Sequence, residues 1–264
     1  MLDIATRPSR AICTVRDALI RGCIYLNLLH RNDDIDETRS SVAPADIAQT
    51  DIQIALGDIR LDGILGRPRA PCGVVVFAHG SGSGRLSRRN QIVAASLQRE
   101  GIATLLFDLL TSEEEASDRV TRHLRFDIAL LAERLLGVTR WLDNEPLLAP
   151  LRIGYFGAST GAAAALVAAA QVPVSAVVSR GGRPDLAGAA LRRVRASTLL
   201  IVGGDDAEVI ALNRHALAQM ACEKALVIVP GAGHLFEEPG MLQEVTRLAG
   251  AWFKRHLCDV RSAA

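Results

Sequence analysis

The sequence predicts an α/β protein with a doubly wound, mostly parallel sheet that is preceded by an antiparallel hairpin. Short, continuous apolar runs, such as residues 73–78 and 199–202, indicate strands buried on both faces. Segments with helical spacing alternate with these runs, which is typical of a parallel sheet with crossover helices. Polar or glycine-rich clusters follow most of the runs, at the strand ends where such sheets bind ligands.

Composition limits the function classes. The chain has 264 residues, of which 49% are hydrophobic and 22% charged, as in ordinary globular proteins. A formal net charge of +1 argues against nucleic-acid binding, which favours a basic surface. No apolar run reaches the roughly 18 residues of a membrane span, and arginines interrupt every N-terminal run that could form a signal peptide. We therefore expect a cytoplasmic protein with neither a nucleic-acid nor a membrane partner.

The five cysteines are dispersed and show no metal-binding spacing. Such a set is typical of reduced thiols in a cytosolic protein, so we expect no structural disulfide. Neither a metal nor another cofactor is predicted.

Residues 1–49 differ from the rest and are interpreted as an N-terminal extension. Residues 13–30 have the spacing of a weak amphipathic helix, and an acidic segment and Pro44 then suggest a linker. The extension is either loosely tethered and without a function of its own, or a helix that docks on the main domain or a partner. Residues 50–264 form the predicted main domain.

The main domain reads as a hairpin followed by alternating strands and helices. Apolar and polar residues alternate on both sides of a turn at Gly57-Asp58, which predicts the hairpin from Thr50 to Leu65. Further strands are predicted over 73–78, 102–107, 151–156, 174–179, 199–202 and 225–229, and helices over 90–99, 124–142, 162–170, 207–220 and 241–257.

The segment around Ser159 carries the main chemical signal. Gly157, Ser159 and Gly161 form the pattern G-x-S-x-G between a predicted buried strand and an alanine-rich helix. This arrangement is typical of a nucleophile elbow, in which a tight turn exposes the serine hydroxyl. A serine of this kind needs a base, and the base needs an orienting carboxylate.

Both partners are available downstream. His234 lies in a glycine-flanked loop after the last predicted strand and is the candidate base. Asp206 is the preferred acid, while Asp205 and Glu208 in the same loop remain alternatives. The oxyanion hole would use the N–H of Thr160 and a second N–H near Ser81 or Gly82.

Two further residues have less defined roles. We expect His79 to brace the glycine loop rather than transfer protons, with a substrate contact as the alternative. Arg180 follows another strand; if it points into the site, the substrate carries a carboxylate or phosphate, but the favoured interpretation is that most arginines near these strand ends are solvated surface residues. The glycine pattern at 80, 82 and 84 could instead suggest a nucleotide cradle, but it lacks the spacing of a dinucleotide motif and the lysine of a P-loop.

Four segments together resemble the α/β-hydrolase superfamily: residues 157–161, 79–83, 203–206 and 231–234. The sequence is most similar to its dienelactone-hydrolase-like branch, over about residues 50–257. Segments 179–185 and 234–240 resemble a subgroup whose members are sometimes fused to phosphoribosyltransferase domains; no such domain is expected here. The resemblance implies Ser159 as nucleophile, Asp206 as acid and His234 as base. Dienelactone hydrolases proper use a cysteine nucleophile, so their substrate is not carried over.

From these observations we expect a serine hydrolase that cleaves a carboxylic ester or related acyl bond of a small soluble substrate. The absence of a long insertion suggests an open site. A non-catalytic binding or regulatory protein with the same fold, and a nucleotide-binding protein, are the alternatives.

Overall fold

The structure, a computed structural model, describes residues 47–259, and these form an eight-stranded sheet with helices on both faces. This confirms the predicted fold class, including the N-terminal hairpin. The strands are β1 (Ile47–Leu56), β2 (Ile59–Pro68), β3 (Gly73–Ala78), β4 (Ala103–Phe107), β5 (Arg152–Ala158), β6 (Ala176–Arg180), β7 (Ser197–Gly203) and β8 (Lys224–Val229).

The strands lie in the order β1-β2-β4-β3-β5-β6-β7-β8. β1 pairs with β2 and β2 with β4 in antiparallel fashion, whereas all pairs from β4 to β8 are parallel. Every residue of β3, β4 and β6 is buried, which explains why these strands read as continuous apolar runs. The parallel strands all end at one edge, which we call the catalytic edge.

Helices cover both faces of the sheet. Side chains of α1 and α6 pack with one face, and side chains of α3, α4 and α5 pack with the other. The helices are α1 (Arg88–Arg99), α2 (Ser112–Thr121), α3 (Ile128–Leu142), α4 (Thr160–Ala169), α5 (Ala207–Gln219) and α6 (Met241–Phe253).

The predicted helix over 124–142 is wrong at its start. Leu124–Phe126 forms a 3-10 turn, and α3 begins after Asp127, whose Oδ1 accepts a hydrogen bond of 3.0 Å from the N–H of Leu130. Asp127 therefore acts as an N-cap inside an otherwise apolar pattern.

Two segments were not predicted. α2 is short and polar, and a reciprocal capping box between Thr111 and Glu114 fixes its start. A second segment, Pro184–Arg193, forms 3-10 turns after β6. The last predicted helix ends earlier than expected, because α6 passes into a π-type turn at Lys254–Cys258.

The expectation of reduced cysteines is wrong for one pair. Cys72 and Cys258 form a disulfide with a Cα–Cα distance of 5.0 Å, although 186 positions separate them in sequence. The fold brings them together because the C-terminal turn packs against the start of β3: a Cβ on Gly73 would lie 2.7 Å from Cβ of Leu257. Cys222 is a free, half-buried thiol.

Several predictions fall at or beyond the limits of the described residues. The predicted helix over 13–30 and the linker lie outside them, and residues 47–49, assigned to the extension, belong to β1. The boundary at residue 50 otherwise stays a prediction. None of the helices within 47–259 is both long and apolar enough to cross a lipid bilayer.

Candidate active site

Ser159 occupies the turn between β5 and α4 at the catalytic edge. Its backbone angles, φ 51° and ψ −120°, are unusual for a residue with a side chain. Residues in such sparsely populated conformations cost free energy and persist where the surrounding structure enforces them. The conformation is the one expected of a serine held at the apex of a nucleophile elbow.

Two glycines make this turn possible. A Cβ on Gly157 would overlap the backbone of Ala162, and a Cβ on Gly161 would overlap the carbonyl oxygens of Ala78 and His79. The first contact joins the strand to the helix, and the second joins the helix to the loop after β3. Glycine is therefore required at both positions by close packing, as the G-x-S-x-G pattern predicts.

Backbone hydrogen bonds hold the serine in place. The N–H of Ser159 donates to the carbonyl oxygen of Arg180 at 3.3 Å. The carbonyl oxygen of Ser159 accepts from the N–H groups of Ala162 and Arg183, each at 3.1 Å. The elbow is thus tied to its own helix and to the end of β6.

Asp206 and His234 form a hydrogen-bonded pair. Nδ1 of His234 lies 2.6 Å from Oδ2 of Asp206, although the two residues follow different strands, β7 and β8. Asp206 also caps α5, with Oδ1 3.5 Å from the N–H of Val209. Asp205 and Glu208 are exposed. Asp206 is therefore the one of the three candidate carboxylates that is hydrogen-bonded to His234.

His234 stands beside the elbow. A Cβ on Gly181 would lie 3.6 Å from Cε1 of His234 and 2.9 Å from its carbonyl oxygen. Gly181 directly follows Arg180, whose carbonyl oxygen binds Ser159. Within residues 47–259 no hydrogen bond joins Oγ of Ser159 to the histidine ring; catalytic hydrogen bonds often form only when substrate is bound.

The glycine loop after β3 approaches the elbow closely. Oγ of Ser81 and Oγ1 of Thr160 lie 2.9 Å apart, in hydrogen-bonding contact. A Cβ on Gly80 would stand 3.2 Å from Cβ of Ser159, and Gly82 has φ +66°. Thr160 and the loop that contains Ser81 and Gly82 therefore lie beside Ser159, and their role as an oxyanion hole stays a prediction.

His79 is fixed by backbone groups on both sides. Its Nδ1 lies 3.0 Å from the carbonyl oxygen of Gly80, and its Nε2 accepts from the N–H of Leu109 at 3.0 Å. Burial lowers the pKa of His79 below 6.5, although its contact with the carbonyl of Gly80 opposes this. With both ring nitrogens occupied, the geometry favours the bracing role over a substrate contact.

An ion pair that sequence reasoning did not recognise holds the far end of this loop. The guanidinium of Arg85 pairs with Asp108, and the N–H of Arg85 donates to Oδ1 of Asp108 at 2.7 Å. A Cβ on Gly84 would lie 2.7 Å from the same carboxylate oxygen. A carboxylate against the loop repels phosphate, so the geometry does not favour a nucleotide cradle. The only indication of this pair in the sequence is that Asp108 directly follows the predicted strand over 102–107.

Arg180 ends β6, next to the elbow, and only 7% of its surface is exposed. A second arginine, Arg125, lies on the other side of the glycine loop, where a Cβ on Gly82 would be 3.2 Å from its Nη1. Arg125 pairs with the buried Asp118 at 2.6 Å. Asp118 lies in α2, which was not predicted, and Arg125 lies in the 3-10 turn that replaces the start of the predicted helix over 124–142, so sequence reasoning missed this contact.

Among residues 47–259, no three His, Cys, Asp or Glu side chains are grouped as they would be to hold a metal ion.

Comparison with known proteins gives the family context. The sequence model described as the dienelactone hydrolase family matches residues 61–253. A solved dienelactone hydrolase from Anabaena variabilis is 57% identical, with a TM-score of 0.79, and covers 80% of this chain and 99% of its own. A solved α/β serine hydrolase homologue from Coxiella burnetii shares the fold at 18% identity and a TM-score of 0.64, over 80% of this chain and 99% of its own.

A longer relative also matches. A protein of Mycobacterium tuberculosis that is named as a phosphoribosyl transferase is 54% identical over 238 residues, which is 89% of this chain. The chain spans 52% of that relative's length.

Proposed function

The chain belongs to the dienelactone hydrolase family, and we propose that it is a serine hydrolase that cleaves a carboxylic ester or related acyl bond of a small substrate. Hydrolase chemistry is common to the family, whereas the serine nucleophile and the ester bond are proposed here. The observation that carries the proposal is the Asp206–His234 hydrogen bond of 2.6 Å beside a strained serine elbow.

The proposed mechanism proceeds through an acyl-enzyme. Oγ of Ser159 attacks the acyl carbon while Nε2 of His234 takes its proton. Asp206 accepts a hydrogen bond from Nδ1, which keeps Nε2 free as the base and stabilises the imidazolium that forms. The negative charge on the acyl oxygen is stabilised by the N–H of Thr160 and by the loop at Ser81 and Gly82.

Breakdown of the intermediate restores the site. The imidazolium of His234 protonates the leaving alcohol, which departs as the C–O bond breaks. Water then attacks the acyl carbon and gives a proton to His234, and the acid is released as Ser159 recovers its proton. No step requires a metal or an organic cofactor.

Labelling with a fluorophosphonate probe tests the proposal. We expect the wild type to be labelled covalently and Ser159→Ala to be unlabelled. Ser112→Ala, at an exposed position of α2, is the matched serine control and should be labelled like the wild type. A folded wild type that takes no label would overturn the serine mechanism and favour a non-catalytic binding protein.

The phosphoribosyl transferase name belongs to a longer relative, of which this chain matches about half. The residues gathered at the catalytic edge suit acyl transfer through a covalent intermediate, so we do not propose phosphoribosyl transfer for this chain. The partners that we propose are small substrates, with no nucleic acid or membrane involved.

We also propose a cytoplasmic location, although the Cys72–Cys258 disulfide is more typical of oxidising compartments. Alkylation of thiols in intact cells tests both the cytoplasmic location and the presence of the disulfide there. If the protein is recovered from the cytoplasm with Cys72 and Cys258 blocked from alkylation, the disulfide persists there. Recovery outside the cytoplasm would contradict the location.

A further inference from the structure

Arg180 is a buried cation without an acceptor. Its Nε and Nη1 are shielded from solvent and have no hydrogen-bond partner. Leaving a charged group buried and unpaired is strongly unfavourable, so native proteins pair such groups or bind a counter-ion. This makes Arg180 an unusual feature of the fold, and its position at the catalytic edge suggests that its partner is a ligand.

Arg180 lies on the same side of β6 as Ala176 and Val178, which belong to the core cluster that the sheet shares with α1 and α6. By the alternation of side chains along a strand, its guanidinium is on the face of the sheet that these two helices cover. On that side stands Arg89 of α1, whose Nε is also buried without a partner. Burial, and then the charge of Arg89, lower the pKa of Arg180 to about 10. The charge of Arg89 therefore acts unfavourably on Arg180, which is itself shielded from solvent.

Protein groups neutralise only part of the local positive charge. Glu237 pairs with Nη1 of Arg89 at 2.7 Å, at the exposed side of the cluster. No acidic residue occupies the first turn of α1, and the N-terminus of a helix itself favours anions. Within residues 47–259, Arg180 has no ion-pair partner. The cluster thus keeps an excess of positive charge.

Space for a ligand lies next to the cluster. A groove of about 480 Å³ runs between the first turn of α1 and the loop after His234, and Ser83, Arg88, Arg89 and Phe236 are among its lining residues. Two carboxylates also line it: Glu237, which pairs with Arg89, and Glu238, whose Oε1 accepts from the N–H of Gly233 at 3.0 Å. Ser83 belongs to the same glycine loop as the proposed oxyanion hole. A substrate bound at Ser159 could therefore extend into this groove.

We propose that Arg180 and Arg89 form a subsite for a phosphate group carried by the substrate. This inference rests on the proposed hydrolase function and deepens it by naming the substrate class as phosphate-bearing esters. The three donors without acceptors come from two side chains on two elements. A carboxylate presents two oxygens in one plane, which suits a single guanidinium edge, whereas a phosphate presents three oxygens in different directions and carries up to two negative charges.

Two measurements test the subsite. The first uses inorganic phosphate, which should raise the Tm of the wild type and compete with a neutral ester. Replacing Arg180 by Met should weaken phosphate binding about 10- to 100-fold, the equivalent of about 1.4–2.8 kcal/mol. Sodium chloride at equal ionic strength corrects for general screening. Arg195→Met, at an exposed position away from the catalytic edge, is the matched control and should bind phosphate like the wild type.

The second measurement compares acetate esters of matched alcohols that carry a phosphate, a carboxylate or a neutral ether. In the wild type kcat/KM should be highest for the phosphate ester, and Arg180→Met and Arg89→Met should each lose that preference. Labelling by the neutral fluorophosphonate should persist in both variants, because Ser159, His234 and Asp206 are unchanged.

The outcomes separate the two proposals. If the wild type takes no fluorophosphonate label, the hydrolase mechanism fails, and binding of inorganic phosphate still tests the subsite. If the label is normal but phosphate neither raises the Tm nor competes, the subsite is overturned. A preference for the carboxylate ester, or a phosphate preference that survives in Arg180→Met, overturns it as well.

Discussion

Gly161 in the first turn of α4 offers a direct test of how the elbow is held. A methyl group at this position would meet the carbonyl oxygens of Ala78 and His79, both closer than 3.0 Å. These are backbone atoms at the end of a buried strand, so they have little freedom to retreat. We therefore predict that Gly161→Ala separates the glycine loop from the elbow.

The magnitude follows from two opposing terms. Alanine gains about 1 kcal/mol of helix propensity over glycine. Overpacking against rigid atoms costs about 3 kcal/mol, at the upper end of the usual range. The net loss of about 2 kcal/mol corresponds to a fall in Tm of about 4–8 °C for a domain of this size. Because a shift of about 1 Å in positioning can cost about 100-fold in rate, kcat should fall by a similar factor.

Thermal unfolding by circular dichroism and ester hydrolysis measure the two effects. Gly137→Ala is the matched control: Gly137 also lies inside a helix, but its new methyl would meet the flexible end of Leu56, 2.8 Å from Cδ1. This variant should be as stable as the wild type, or more so, and equally active. If Gly161→Ala matches the wild type in both Tm and rate, the packing argument for the elbow is refuted.

Three other predictions concern the groups around the elbow. Asp206→Asn should lower kcat about 1,000- to 10,000-fold with little change in fold, because the hydrogen bond that orients His234 is altered. Burial lowers the pKa of His79, so the folded state binds a proton there less readily than the unfolded state. The stability that neutral His79 contributes is therefore present above pH 6.5 and is lost as the pH falls below that value. Chemical unfolding at a series of pH values measures this dependence. Reduction of the Cys72–Cys258 disulfide, which spans 186 positions, should cost about 2–5 kcal/mol in a thermal scan with reductant.

Each of these has a control and a contradicting result. Asp205→Asn should retain activity; a comparable loss there would reassign the acid. For the histidine, the free energy of unfolding of His79→Gln should depend less on pH than that of the wild type. An unchanged slope would assign the pH dependence to another group, for instance His256, whose pKa is also lowered by burial. The Cys72→Ser, Cys258→Ser double variant should unfold at the same temperature as the reduced wild type, and reductant should not change its Tm.

The strands and the placement of the candidate site could be predicted because both depend on local patterns. A strand buried on two faces must be apolar throughout, so Gly73–Ala78 was predicted with its observed bounds. Parallel strands end at one edge, so the residues following β5, β7 and β8 had to lie near one another. The same argument predicts that Asp206 and His234 lie close together, and the structure has Oδ2 of Asp206 2.6 Å from Nδ1 of His234.

Features that depend on contacts distant in sequence could not be predicted in the same way. The apolar pattern over 124–142 carries no sign that Asp127 would serve as a cap rather than an exposed helical residue. Cys72 and Cys258 meet only because the C-terminal turn packs on β3. Likewise, the sequence indicated that Arg180 follows a strand, but its burial without an acceptor depends on the helices α1 and α6 that cover that face of the sheet.

The hydroxyl at position 159 also determines how the elbow responds to oxidants. Dienelactone hydrolases proper carry a cysteine here, and a reactive thiolate in an accessible site is converted by peroxide to sulfenic acid and beyond. A serine has no corresponding reaction. Oxidising surroundings of the kind that favour the Cys72–Cys258 disulfide expose an accessible thiolate to this reaction but leave a serine hydroxyl intact. The serine elbow and the disulfide can therefore coexist in surroundings that would oxidise the thiol form of the site.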